Sequence, residues 1–139
     1  MTQNTKIIEI PVFFDSKYGS LAVLESLRSV PFEVRRVYYI YGVPEDETRG
    51  HHSHNELEQV LICIKGSVTV STSTIGDKND HFLDNPSKGL YIGPMVWRVM
   101  KDFSEDAVLL VLASEYFIES DYIRCHDQYI DKAKKFFQK

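Results

Sequence analysis

The chain has 139 residues, 43% of them hydrophobic, which suits one domain with a substantial core. Twenty acidic against sixteen basic residues give a net charge of -4, which argues against a nucleic-acid-binding face while leaving room for a local basic pocket. Two cysteines with no CxxC spacing make neither a disulfide framework nor a metal pair, no apolar run approaches the ~20 residues of a membrane span, and MTQNTKIIEI lacks the pattern of a signal peptide, so a soluble cytoplasmic protein is expected.

In chain order, residues 6–14 (KIIEIPVFF) read as an edge strand or two short pieces divided by Pro11. Asp15 to Ser20 is a turn, and Leu21 to Leu24 a short strand candidate. Glu33 to Val43 is rich in β-branched and aromatic residues. Alternation there puts Arg36, Tyr38 and Ile40 on one face and Arg35, Val37, Tyr39 and Tyr41 on the other. A polar loop, Pro44 to Gly50, leads to three histidines: His51, His52 and His54.

Leu57 to Ile64 reads as the next strand, with Cys63 as a small core residue. Ser67 to Thr74 alternates and is expected to be its hairpin partner. His81 to Leu83, Gly89 to Ile92 and Val96 to Met100 are short strand candidates, and Ala107 to Ala113 is a buried strand. Apolar residues at helical spacing between Asp127 and Phe137 predict one amphipathic helix. His81 and His126 fit no pattern and are expected in solvent, and Glu115 to Asp121 reads as a polar loop. Many short strands separated by Gly, Pro and Asn turns indicate an all-β sandwich or barrel. Among these, the cupin jelly roll (a double-stranded β-helix) starts its chemistry at a His-x-His strand mouth; residues 1–139 are read as one such domain with a C-terminal helical tail.

The cupin signature has two halves. His52-Ser53-His54, then Glu58 and Gly66, resemble the first, and His-x-His along a strand aims both rings to one side. Gly89, Gly93 and Pro94 resemble the second, but Arg98 stands where the completing histidine belongs. A protonated guanidinium has no lone pair to give a metal, so neither metal nor cofactor is expected. The histidines are then read as acid–base groups acting on a proton beside a ketone, with the Tyr38 phenol donating to an enolate oxygen. Glu58 is read as orienting a histidine or as a strand-face charge, and Trp97 as a core or rim aromatic.

RRVYYIYGVPEDETRGHHSHNELEQVLICIKGSV, GLYIGPMVWRVMKDFS and VLLVLASEYFIESDYIR together resemble the dTDP-4-keto-6-deoxy-D-glucose 3,4-ketoisomerases, over about Asp15 to about Asp127. This resemblance implies a metal-independent jelly roll, a homodimer exchanging N-terminal strands, and transfer of the keto group from C-4 to C-3 of a dTDP-linked sugar for O-antigen or other lipopolysaccharide synthesis. It implies His52 as the base at C-3, with Tyr38 and His54 supporting the enediol; His51 has no role assigned. Arg36 and Arg49 are candidate diphosphate contacts, and Tyr18 and Arg98 are further candidate substrate-binding residues, with Arg98 expected to reach into the pocket. On a glucose-configured ring the C-3 and C-4 hydrogens lie on opposite faces, so one base on one face would give a galacto product. Galacto-forming members resemble Arg at the position of Tyr18 and His at that of Arg98; the Tyr18/Arg98 pair here resembles the gluco-forming kind. The galacto product, a 3,5-epimerase, a metal-dependent cupin and a non-catalytic sugar-binding cupin are the competing readings.

Overall fold

The structure is a computed structural model and describes residues 1–138. The strands are β1 (Thr5–Glu9), β2 (Val12–Asp15), β3 (Gly19–Ala22), β4 (Arg36–Tyr41), β5 (Arg49–His54), β6 (Gln59–Lys65), β7 (Val68–Ser73), β8 (Lys78–Leu83), β9 (Lys88–Ile92), β10 (Trp97–Lys101), β11 (Val108–Ala113) and β12 (Tyr122–Ile123). A 3-10 turn spans Glu119–Asp121, and one helix, α1 (His126–Phe137), closes the described chain. One sheet has the order β1-β9-β6-β11-β4 and the other β12-β5-β10-β7-β8; β2 and β3 form a separate hairpin. Two facing antiparallel sheets with this wound connectivity are a jelly roll of the cupin kind, as the strand spacing predicts.

Alternation explains the core. Leu61 and Cys63 from β6, Leu109 and Val111 from β11, and Val68, Val70 and Met100 from the opposite sheet fill the space between the sheets. Each such aliphatic side chain, fully removed from water, contributes about 1.5–3 kcal/mol. The run QVLICIK is apolar on both faces because both are covered: Val60 and Ile62 point outward beneath Ile10, Val30 and Phe32. α1 seats Tyr129 and Ala133 against Met95 and Ile123, and Trp97 packs on Tyr129 as a rim aromatic.

Several expectations are corrected. β7 does not pair with β6; it pairs with β8 and β10 in the other sheet. The chain changes sheets at Gly66, whose φ of +70° and close approach to the Ala107 Cα (2.9 Å from an ideal Cβ) fit glycine and nothing larger. The histidine stretch is a strand rather than a strand mouth. His81 is buried, its Nε2 3.0 Å from the Thr72 hydroxyl, which itself donates to Thr2. The Glu115 to Asp121 segment is structural: Asp121 accepts hydrogen bonds from the backbone N–H groups of Glu56 and Leu57. Glu58 accepts from the Tyr91 hydroxyl at 2.7 Å and orients no histidine.

Candidate active site

One end of the jelly roll is lined with polar groups on inward positions of four strands. β4 supplies Arg36 and Tyr38, and β5 supplies Arg49 and His52. β10 places Met100 and β12 places Tyr122 around the same cavity, of about 480 Å³, with Arg124 just beyond. Arg49 and His52 are three residues apart and would face opposite ways on a regular strand. A β-bulge corrects the phase. Arg98 pairs with His52 and Val99 with Gly50, leaving His51 as the unpaired extra residue at a φ of 56°. His51 is thereby turned out to the Thr48 hydroxyl, 2.8 Å from its Nε2.

His52 lines the cavity, and its Nδ1 is buried with no partner among the described residues. Burial first, then the positive charges of Arg98 and Arg124, push its pKa down to about 3, so the ring is neutral and able to accept a proton. His54 lies behind it, wholly buried, with neither ring nitrogen partnered among the described residues. Its pKa falls from the same causes, burial first and Arg98 second. The edge of Tyr122 meets both rings, with centroids 5.1 Å from His52 and 4.4 Å from His54. Tyr38 is kept protonated chiefly by burial, which raises its pKa against the opposing influence of Gln59, Arg98 and Arg36.

Arg98 occupies the third-ligand position of the metal-binding signature. It is entirely buried: its guanidinium donates to the Val96 carbonyl (3.0 Å) and to Gln59 Oε1 (2.5 Å). Burial lowers its pKa to about 10, still well above neutrality, so a fixed positive charge stands beside the histidines. No three His, Cys, Asp or Glu side chains among the described residues converge as a metal-ligand set. The cavity rim is also cationic, with Arg36, Arg49 and Arg124 and no carboxylate lining it. Two guanidinium nitrogens of Arg36, Nε and one terminal NH2, are buried without a partner among the described residues, while Glu119 holds Arg124. In an acidic protein this is a local concentration of positive charge, with the electrostatics to attract an anion.

Of the residues singled out in the sequence, the fold brings Tyr38, His52, Arg36 and Arg49 to one cavity and sets His54 and Arg98 in the wall behind it. Tyr18 is elsewhere, 80% exposed at the tip of the β2–β3 hairpin. Gln59, Tyr122 and Arg124 were not singled out in the sequence, although Gln59 stands five residues after His54, beside the signature's Glu58. Gln59 carried one faint signal: a polar residue on the same alternating face as Leu61 and Cys63.

The buried neutral histidines give an acid-stability prediction. The unfolded chain binds a proton at each histidine near pH 6.5, the folded chain at His52 only near 3. Stability is therefore complete above about pH 6.5 and falls as pH drops toward 3, by up to ~1.4 kcal/mol per pH unit per histidine. Urea unfolding at pH 7, 6 and 5 should show this decline, and His54→Gln should make it shallower. Equal slopes in the two proteins would contradict the burial account.

The family description "FdtA: WxcM-like, C-terminal" matches residues 3–134. A TDP-4-oxo-6-deoxy-alpha-D-glucose-3,4-oxoisomerase from Aneurinibacillus thermoaerophilus is 45% identical over 124 residues, 89% of this chain and 88% of that one. The crystal structure of QdtA, a sugar 3,4-ketoisomerase from Thermoanaerobacterium thermosaccharolyticum in complex with TDP, superposes with a TM-score of 0.95 at 52% identity, covering 99% of each chain. A histidine-to-asparagine variant of QdtA in complex with TDP-4-keto-6-deoxyglucose is similar at a TM-score of 0.96, with 50% identity and full coverage of both chains. WlaRB, a TDP-quinovose 3,4-ketoisomerase from Campylobacter jejuni, is similar at a TM-score of 0.88 and 42% identity, over 93% of this chain and 98% of that one.

Proposed function

The chain belongs to the family described as FdtA: WxcM-like, C-terminal, and from that premise we propose that it is a nucleotide-sugar 3,4-ketoisomerase converting dTDP-4-keto-6-deoxy-D-glucose to dTDP-3-keto-6-deoxy-D-glucose. The observation that carries this reading is a neutral His52 with an unpartnered, buried Nδ1 beside a cavity that a protonated Tyr38 also lines. His52 takes the C-3 proton, and the bonding pair becomes the C-3–C-4 double bond. The C-4 carbonyl oxygen takes a proton from Tyr38, giving the enediol. In the second half the O-3 hydroxyl returns a proton to Tyr38, the C-3 carbonyl forms, C-4 takes a proton from water, and His52 releases the C-3 proton to solvent. Arg36 and Arg49 bind the diphosphate, and Arg98 supplies a fixed charge that favours the enediolate. His54 supports His52 from behind.

The Tyr18/Arg98 pair supports the gluco product. Delivery of the C-4 proton from the face opposite His52 keeps the 4-hydroxyl equatorial. The product is then the precursor of a 3-amino-3,6-dideoxy sugar for surface polysaccharide such as O-antigen, made in the cytoplasm. Incubation with dTDP-4-keto-6-deoxyglucose, trapping with a 3-aminotransferase and NMR of the product test both levels. An axial 4-hydroxyl sinks the gluco assignment; unchanged substrate sinks the ketoisomerase.

The homodimer belongs to the same proposal. A lone two-stranded hairpin is marginal in water, yet β2–β3 leaves Phe13 66%, Phe14 75% and Leu21 59% exposed. The unpaired edge strand β4 leaves Val37, Tyr39 and Tyr41 exposed as well. Exchange of the N-terminal hairpins between two copies covers apolar surface on both and carries Tyr18 away from its own subunit. Light scattering should give twice the chain mass, and a double Phe13→Ser, Phe14→Ser replacement should shift it to the monomer. A wild-type monomer at high concentration contradicts the exchange.

A further inference from the structure

Gln59 opens β6 at an inward position and is almost wholly buried, although the proposed mechanism leaves it without a role. Its amide orientation is fixed by its neighbours. The Arg98 guanidinium only donates, so the Gln59 oxygen faces it, 2.5 Å from its terminal nitrogen. The amide nitrogen therefore faces the other way, 3.0 Å from the Tyr38 hydroxyl, and donates to it. A phenol that accepts this bond keeps its own proton for a different partner. The remaining open side of Tyr38 is the cavity that His52 also lines.

We propose that Gln59 is a positioning residue that couples the buried charge of Arg98 to Tyr38, turning the phenol proton toward the sugar oxygen and steadying the phenolate that forms when it leaves. This rests on the ketoisomerase reading and adds a residue to it. The chain Arg98–Gln59–Tyr38 has one permitted direction, because its first member has no acceptor and its middle member has one of each. Arg98 thus acts on the reaction without touching substrate. It is held in the wall by the Val96 carbonyl and by Gln59, and its charge arrives through an amide polarised at both ends.

Gln59→Glu tests the direction of the chain while keeping its shape. A carboxylate beside Arg98 remains an acceptor on both oxygens, so Tyr38 must donate to it, away from substrate. kcat is expected to fall about 100-fold with KM changed less than about threefold, the loss typical of one misdirected oxyanion donor. In a Tyr38→Phe background the same replacement should cost less than about threefold, since the phenol it acts through is gone. Wild-type kcat in Gln59→Glu, or a loss that multiplies in full with that of Tyr38→Phe, overturns the proposal. Fold is controlled for in the unmutated protein: the Gln59 side-chain amide protons should exchange slowly and their NMR shifts should move on Tyr38→Phe. An amide exchanging as fast as those of surface glutamines overturns it whichever variants fold. Turnover of dTDP-4-keto-6-deoxyglucose by the wild type is measured first. Its absence defeats the ketoisomerase reading and this inference with it, whereas an active wild type beside an equally active Gln59→Glu defeats this inference alone.

Discussion

Replacement of His52 by asparagine is expected to lower kcat on dTDP-4-keto-6-deoxyglucose by about 10³-fold or more, near the upper part of what one acid–base group supplies. Asparagine roughly keeps the size of the ring but cannot take a proton. KM should change little, because Arg36 and Arg49, the proposed diphosphate contacts, are untouched. The measurement is single-turnover conversion followed by NMR, together with loss of solvent deuterium incorporation at the carbon that receives the proton. Conversion at the native rate would remove His52 from the role of base. The depressed pKa adds a second signature. Since His52 in the free protein gains a proton only near pH 3, kcat/KM should not fall at pH 6.5 as it would for an ordinary imidazole base. Under the proposed function the diphosphate, held by Arg36 and Arg49, brings negative charge toward Arg98 and Arg124, whose positive charges help keep the ring neutral. Once bound, its charge offsets theirs and makes the ring a better base where proton transfer occurs.

Replacement of Arg98 by alanine is expected to cost about 3 kcal/mol of stability or more. The side chain is fully buried, so truncation leaves a cavity, and it strips the Gln59 oxygen and the Val96 carbonyl of their donors. A loss below about 1 kcal/mol in urea unfolding contradicts this picture. In whatever fraction of Arg98→Ala folds, the His52 pKa should rise toward 6.5, because Arg98 is the second largest cause of its depression after burial. Proton NMR of the imidazole resonances reads that shift directly. Turnover should fall as well, through loss of the charge behind Gln59 and Tyr38.

The fold was legible where alternation was regular. β4 reads correctly because Arg36, Tyr38 and Ile40 and the residues between them keep strict period two. β11 reads correctly because a short run of continuous apolar residues has few other homes than the middle of a sheet; it lies between β6 and β4. Pairing was not legible in the same way. The proximity of β6 and β7 in sequence suggested a hairpin, but Gly66 turns the chain into the opposite sheet, a matter of backbone direction that composition does not encode. His81 was invisible as a buried group because its partner, Thr72, is brought to it by the β7–β8 pairing, and Thr72 is itself bonded to Thr2 from the far N-terminus.

What the sequence alone determined is the chemistry available: two histidines two residues apart, a tyrosine on an inward strand position, and an arginine where a metal ligand would stand. Residue type and period are local properties, and they lead to the expectation of proton transfer at this site. What only the tertiary structure decided is direction and depth. The bulge at His51 brings Arg49 and His52 to the same face, and the crossing of β6 and β10 buries Arg98 behind Gln59 rather than in the cavity. Those outcomes depend on register between strands far apart in the chain, where one residue of offset reverses the face on which a side chain stands.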